Sequence, residues 1–124
     1  MKALCYIGGF YHLAFAAFHI GFWKLFDWKT ELPKLSAVNR GVAQVLNLRL
    51  IYIFLVFAFV SFFFNSDLTT TALGKMILAA ISLFWFGRAV EQTIFWRFGD
   101  KISVALFVIF LFGAAIYFLP LVLR

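Results

Sequence analysis

Four apolar runs, at about residues 3–23, 42–64, 73–96 and 102–123, leave this chain almost nothing from which to build a water-facing surface. A helix needs about 20 mostly apolar residues to cross the hydrocarbon core of a bilayer, and each run meets that length. Charged residues make up 13% of the chain and hydrophobic ones 65%. Soluble domains carry about 25% and about 45–50% respectively, so a water-soluble fold is excluded. Ten-residue segments of alternating polarity are missing, which argues against an outer-membrane barrel. The expected fold class is all-α: a transmembrane four-helix bundle, up-and-down because the connections are short. Residues 1–124 form one domain, with helices expected at about 3–23, 36–64, 70–97 and 102–123, Ser36 capping the second and Asn65-Ser66-Asp67 and Gly99-Asp100 turning the chain after the second and third.

The net charge of +6 comes from Lys and Arg residues gathered mostly at segment ends. That placement suits contact with the lipid bilayer and setting of topology, and it leaves no solvated basic face for nucleic acid. Lys24, Lys29, Lys34, Arg40, Arg97 and Lys101 flank the first and third loops, against Lys2, Lys75 and Arg124 on the other side. This predicts both termini outside and the first and third loops in the cytoplasm of a bacterial-type inner membrane. Lys2 and Ala14-Phe15-Ala16 match the outline of a secretion signal, but the apolar run continues to Trp23, so a retained helix is expected. After it, Leu25, Trp28 and Leu32 recur at helical spacing opposite Lys24, Asp27, Lys29 and Glu31, until Pro33 interrupts them. The pattern predicts a short amphipathic segment lying in the membrane interface.

The first three runs also carry polar side chains: His12 and His19; Gln44, Asn47 and Arg49; Arg88, Glu91 and Gln92. A charge in hydrocarbon costs about 2.5–3.5 kcal/mol on insertion scales, so these groups require partners or a purpose. At 1.5 Å per residue, all but His12 and Gln44 fall roughly 18–25 Å from the outer boundary, with His12 at roughly 14 Å. Helical phase places His12 and His19 on one face with Gly8, Gly9 and Ala16, and Arg40, Gln44 and Asn47 on one stripe. Arg88, Glu91, Gln92 and Phe95 likewise lie together, while Arg49 falls opposite Asn47. Trp85 lies deep enough to wall a pocket. Each group also has a plainer role. The histidines and amides can join helices by hydrogen bonds, Arg88 and Glu91 can neutralise each other, and Arg49 can reach the headgroups or pair with Glu91.

A single cysteine, Cys5, rules out a disulfide within the chain and every multi-cysteine metal motif. Histidines seven apart on a helix stand about 10.5 Å apart, too far to grip one metal ion, although two separate haems stay open as a weak alternative. Phosphate-binding glycine loops, zinc-protease motifs and nucleophile elbows are missing.

Trp28-Lys29-Thr30-Glu31-Leu32, followed by Leu35-Ser36 and Asn39-Arg40, resembles a signature of small uncharacterised bacterial four-helix membrane proteins. Phe84-Trp85, Arg88 and Gln92 resemble a second signature of that group. The resemblance implies four transmembrane helices and a site shared by the first loop and the second and third helices. Glu31, Arg40, Arg88 and Gln92 would be its leading residues and His19 the next; it implies no activity.

Three functions follow as expectations. The first is binding or transport of a small anionic or lipid-like ligand in a polar pocket in the cytoplasmic half. That pocket would draw on His12, His19, Glu31, Arg40, Gln44, Asn47, Trp85, Arg88, Glu91 and Gln92. The second is a non-catalytic subunit or scaffold of a membrane complex, or a homo-oligomer, meeting its partner through the flat apolar last helix. The third is a redox or acid–base enzyme using His12 and His19.

Overall fold

A computed structural model describes residues 2–96 and 100–123. Arg97, Gly99 and Arg124, which entered the topology and turn expectations, lie outside the described residues. Among the described residues the elements are all helical: α1 (Lys2–Ile20), α2 (Phe22–Leu25), α3 (Trp28–Glu31), a 3₁₀ turn (Leu32–Lys34), α4 (Ala37–Phe63), α5 (Asn65–Thr70), α6 (Ala72–Trp96) and α7 (Lys101–Val122). Four of them, α1, α4, α6 and α7, are long and apolar enough to cross a membrane. The chain is therefore built as an integral membrane protein. At 1.5 Å per residue the 27 residues of α4 reach roughly 40 Å, more than a hydrocarbon core is thick.

Local chemistry sets the helix ends. Ser36 Oγ accepts from Asn39 N at 3.2 Å and starts α4, and Asp100 Oδ1 accepts from Ser103 N at 2.6 Å and starts α7. The first apolar run does not continue unbroken to Trp23, because α1 stops at Ile20 and Gly21 separates it from α2. Asn65-Ser66-Asp67, expected to be a tight turn, instead opens the six-residue helix α5. Its hydroxyls bond back to the carbonyls of the same turn, as Thr69 and Thr70 both do to Ser66 O. Asp27 joins α2 to α3 with φ 50°, a left-handed conformation that Asp tolerates better than most residues.

Helix α1 packs along α4 on one side and α7 on the other, and α6 packs along α7. Cross-helix pairs fix the directions. Residues 12, 15 and 19 of α1 meet 57, 54 and 47 of α4, and residues 92, 85 and 82 of α6 meet 103, 110 and 114 of α7. Both pairs run antiparallel, and so do α1 and α7, where His12 meets Tyr117 and Phe15 meets Phe110; α4 and α6 therefore point in opposite directions. The backbones of α4 and α6 stand further apart and are bridged by rings, with Phe54 stacked on Trp85 at 5.4 Å and Phe57 against Phe84. Close approach elsewhere depends on missing Cβ atoms. A methyl at Gly8 would run into the Tyr117 ring, and one at Gly74 into the Asp67 and Leu68 backbone.

Candidate functional site

Two polar centres lie along the bundle rather than one layer. The deeper is built around His12, which is fully buried. Trp85 Nε1 donates to His12 Nε2 at 2.9 Å. An indole N–H only donates, so the imidazole must be neutral, with its proton on Nδ1. That N–H is shared between Gly8 O at 2.9 Å and Tyr117 Oη at 3.0 Å, and Tyr117 in turn bonds Ser61 Oγ at 2.7 Å. Four helical segments thus meet at one saturated hydrogen-bond chain. Both ring nitrogens of His12 are occupied, so a haem iron could reach neither without breaking the network.

The second centre surrounds a cavity of about 530 Å³ at the end of the bundle that carries the first loop and Asp100. Its walls are mostly rings: Phe15, Phe18, Phe54, Phe84, Trp85 and Phe110 along the helices, with Phe22, Phe26 and Trp28 as a roof from α2 and α3. Polar groups enter from His19, Arg88, Gln92, Ser103 and Asp100. The His19 ring is fixed by a reciprocal pair: Nδ1 donates to Asn47 Oδ1 at 2.9 Å while Asn47 Nδ2 donates to His19 O at 3.0 Å. Phe22 stacks on it at 4.2 Å. Because Asn47 Oδ1 only accepts, Nε2 is the nitrogen left for a ligand in the cavity.

Arg88 forms the opposite wall. Its guanidinium lies 4.5 Å from the Phe110 ring centroid and 5.1 Å from that of Trp96, and Nη1 is buried with no hydrogen-bond partner among the described residues. Gln92 donates from Nε2 to Ser103 Oγ at 3.0 Å and leaves Oε1 buried and unpartnered. Two cavity-lining residues one helical turn apart that each keep a buried, unpartnered polar atom are uncommon, because buried polar groups nearly always find partners. An aromatic cavity with a cation, an amide oxygen and an imidazole can hold an apolar body and orient one polar head.

The expected site residues divide accordingly. His19, Trp85, Arg88 and Gln92 line the cavity, and Asn47 orients His19 from behind. His12 belongs to the deeper network, one layer away. Gln44 donates to Arg40 O in its own helix, and Arg40 is half-buried with Nε unpartnered, away from the cavity walls. Glu31 is exposed and pairs with Lys34 at 3.3 Å, the ion pair made among the described residues. The expected Arg88–Glu91 neutralisation is not made, because the rings draw Arg88 inward while Glu91 sits on the exposed side of α6. Arg49 does not meet Glu91 within the chain either; it is exposed and lies over the Tyr52 ring at 5.7 Å. Sequence reasoning missed Tyr117, Ser103 and the roof rings, and took Ser61 only as part of an inward stripe. Tyr117 is a phenol in a mostly apolar last helix, with no local mark of its hydrogen bonds.

No family model matches the chain, and searches of curated proteins and of solved structures also return no match. The geometry therefore carries the functional argument.

Proposed function

We propose that this protein binds a small amphiphile with an anionic head, the head on Arg88 and the apolar body among the cavity rings. In this reading α1, α4, α6 and α7 cross the membrane as an up-and-down bundle. The α2–α3 segment lies in the interface, and the cavity opens toward the cytoplasmic side. The observation that carries the reading is Arg88, a cation that lines an apolar cavity of about 530 Å³ and whose Nη1 is buried without a hydrogen-bond partner among the described residues. That volume falls within the range of small-molecule sites, about 300–1,000 Å³. Gln92 Oε1 and His19 Nε2 add an acceptor and a second group able to bond a protonated or hydroxylated head.

The test uses protein in nanodiscs, with dodecanoate as the probe and dodecanol as its uncharged counterpart, followed by native mass spectrometry. Dodecanoate is expected to bind and dodecanol to bind far less. Arg88→Gln should weaken dodecanoate by at least about 2 kcal/mol, roughly 30-fold, because the buried anion loses its cation. Equal retention of acid and alcohol, with Arg88→Gln indistinguishable from the parent, would overturn the assignment.

A further inference from the structure

Arg49 and Glu91 are charged residues well inside their helices that neither the cavity nor the His12 network uses. Both lie within membrane-length helices and both are exposed. Their positions are related. Phe54 stacks on Trp85, which sets the two helices level at that point. Arg49 lies five residues before Phe54 and Glu91 six residues after Trp85. Since α4 and α6 run in opposite directions, both steps lead toward the same end of the bundle. They cover roughly 7.5 and 9 Å, which leaves the two charges at nearly the same depth. Rotation agrees with depth. At 100° per residue Arg49 stands about 140° round α4 from Phe54, and Glu91 about 120° round α6 from Trp85. In antiparallel helices these turns bring both residues to the same side, the outer face of the α4–α6 pair.

The surfaces around them are complementary. Along α4 the outward stripe is branched and bulky, with Val42, Val45 and Tyr52 each about half exposed or more. Along α6 it carries Ala80 and Gly87, and a Cβ built at Gly87 meets nothing within 4 Å. Small residues on a membrane helix allow another helix to come close. Arg88 shares a shallow surface pocket with Glu91 but makes no ion pair with it among the described residues. An outward carboxylate in hydrocarbon calls for a paired cation, and this chain presents Arg49 at the same depth on the neighbouring helix of the same face.

We propose that a second copy of this chain covers the α4–α6 face, related by a two-fold axis along the membrane normal. Helix α4 of each copy then lies against α6 of the other, with Arg49 paired to the partner copy's carboxylate at position 91 and the reverse pair made across the axis. A two-fold axis makes such a contact self-complementary. The same register carries Tyr52 and Val56 past the open surface at Gly87. The proposal does not depend on what the cavity binds.

Oligomeric state in nanodiscs, read by single-molecule photobleaching, tests it. The parent protein is expected as a dimer. Arg49→Glu and Glu91→Arg should each be monomeric, with dimer affinity reduced on the order of 100-fold, because like charges then face each other at both pairs. Mixing the two variants should restore the dimer, since one copy then carries two acids and the other two bases. Gly87→Leu fills only the outer face and should give a folded monomer, which separates loss of assembly from loss of fold. A monomeric parent, charge reversals that leave the dimer intact, or recovery in the doubly reversed chain but not in the mixture would each refute the proposal. The last result would mean that Arg49 and Glu91 pair within one chain.

Discussion

The bond from Trp85 to His12 offers a direct measure of what the buried network contributes. His12→Leu keeps a similar volume but leaves the Trp85 indole N–H, in a residue 1% exposed, without its acceptor. It also takes the imidazole N–H from Gly8 O and Tyr117. Orphaning a buried donor costs about 1–3 kcal/mol, and the hydroxyl of Tyr117 keeps Ser61, so the expected loss is about 2–4 kcal/mol. Trp85→Phe leaves the converse orphan, His12 Nε2, and a gap where the indole was; it should cost a similar amount. The double variant removes donor and acceptor together, so it should be less destabilised than the two losses added. A coupling of about 1–2 kcal/mol is expected, toward the upper end of values for hydrogen bonds between membrane helices. The measurement is reversible unfolding in mixed micelles, followed by tryptophan fluorescence for the His12 variant and by circular dichroism for all four proteins. Additive losses, with coupling below about 0.3 kcal/mol, would show that the two side chains act by filling space alone.

Other perturbations test neighbouring parts of the argument. Gly74→Ala should destabilise more than Gly8→Ala, because the added methyl meets backbone at Asp67 and Leu68, whereas at Gly8 it meets the Tyr117 ring, which can shift. Overpacking of this kind costs about 1–3 kcal/mol, and thermal unfolding in detergent would rank the two. Tyr117→Phe should lose about 1–3 kcal/mol in the same assay, since Gly8 O still receives the His12 proton but the buried Ser61 hydroxyl loses its partner. Asn47→Leu removes both bonds that hold the end of α1 to α4. It should raise hydrogen exchange in residues 19–28 while leaving the α6–α7 pair protected.

Much of this arrangement was legible because a bilayer imposes strong rules on sequence. Four apolar runs dictated four long helices, and Ser36 before Asn39 marked the start of α4. The stripe that runs from Arg40 and Gln44 through Asn47 and Ile51 to Phe54, Ala58 and Ser61 does turn inward: Asn47, Phe54, Ala58 and Ser61 are buried and Arg40, Gln44 and Ile51 half-buried. Depth arithmetic brought His19 to Asn47 and placed Arg88 and Gln92 near them. It failed where rotation mattered more than depth. Glu91 lies at the expected level but is exposed and makes no ion pair with Arg88, although the two line one surface pocket, whereas Arg49 is exposed, as its place opposite Asn47 required. The His12 network was unreadable for another reason. Its partners Trp85 and Tyr117 are 73 and 105 residues away, and nothing local in α7 distinguishes a phenol that bonds from one that fills space. The break at Gly21 was hidden by an apolar run that continues straight through it.

That break divides the labour within the chain. The long helices lock together around His12, while the rings of Phe22, Phe26 and Trp28 sit beyond Gly21 on a short segment held by ring contacts to Phe18 and His19 and by buried Leu32, without side-chain hydrogen bonds to the long helices among the described residues. Substitutions in that segment can reshape the lid of the cavity without disturbing the bonds that make the bundle fold. On the proposed amphiphile-binding role, variation in ligand preference would accumulate in residues 21–35, and a designer seeking a new ligand would diversify that segment first.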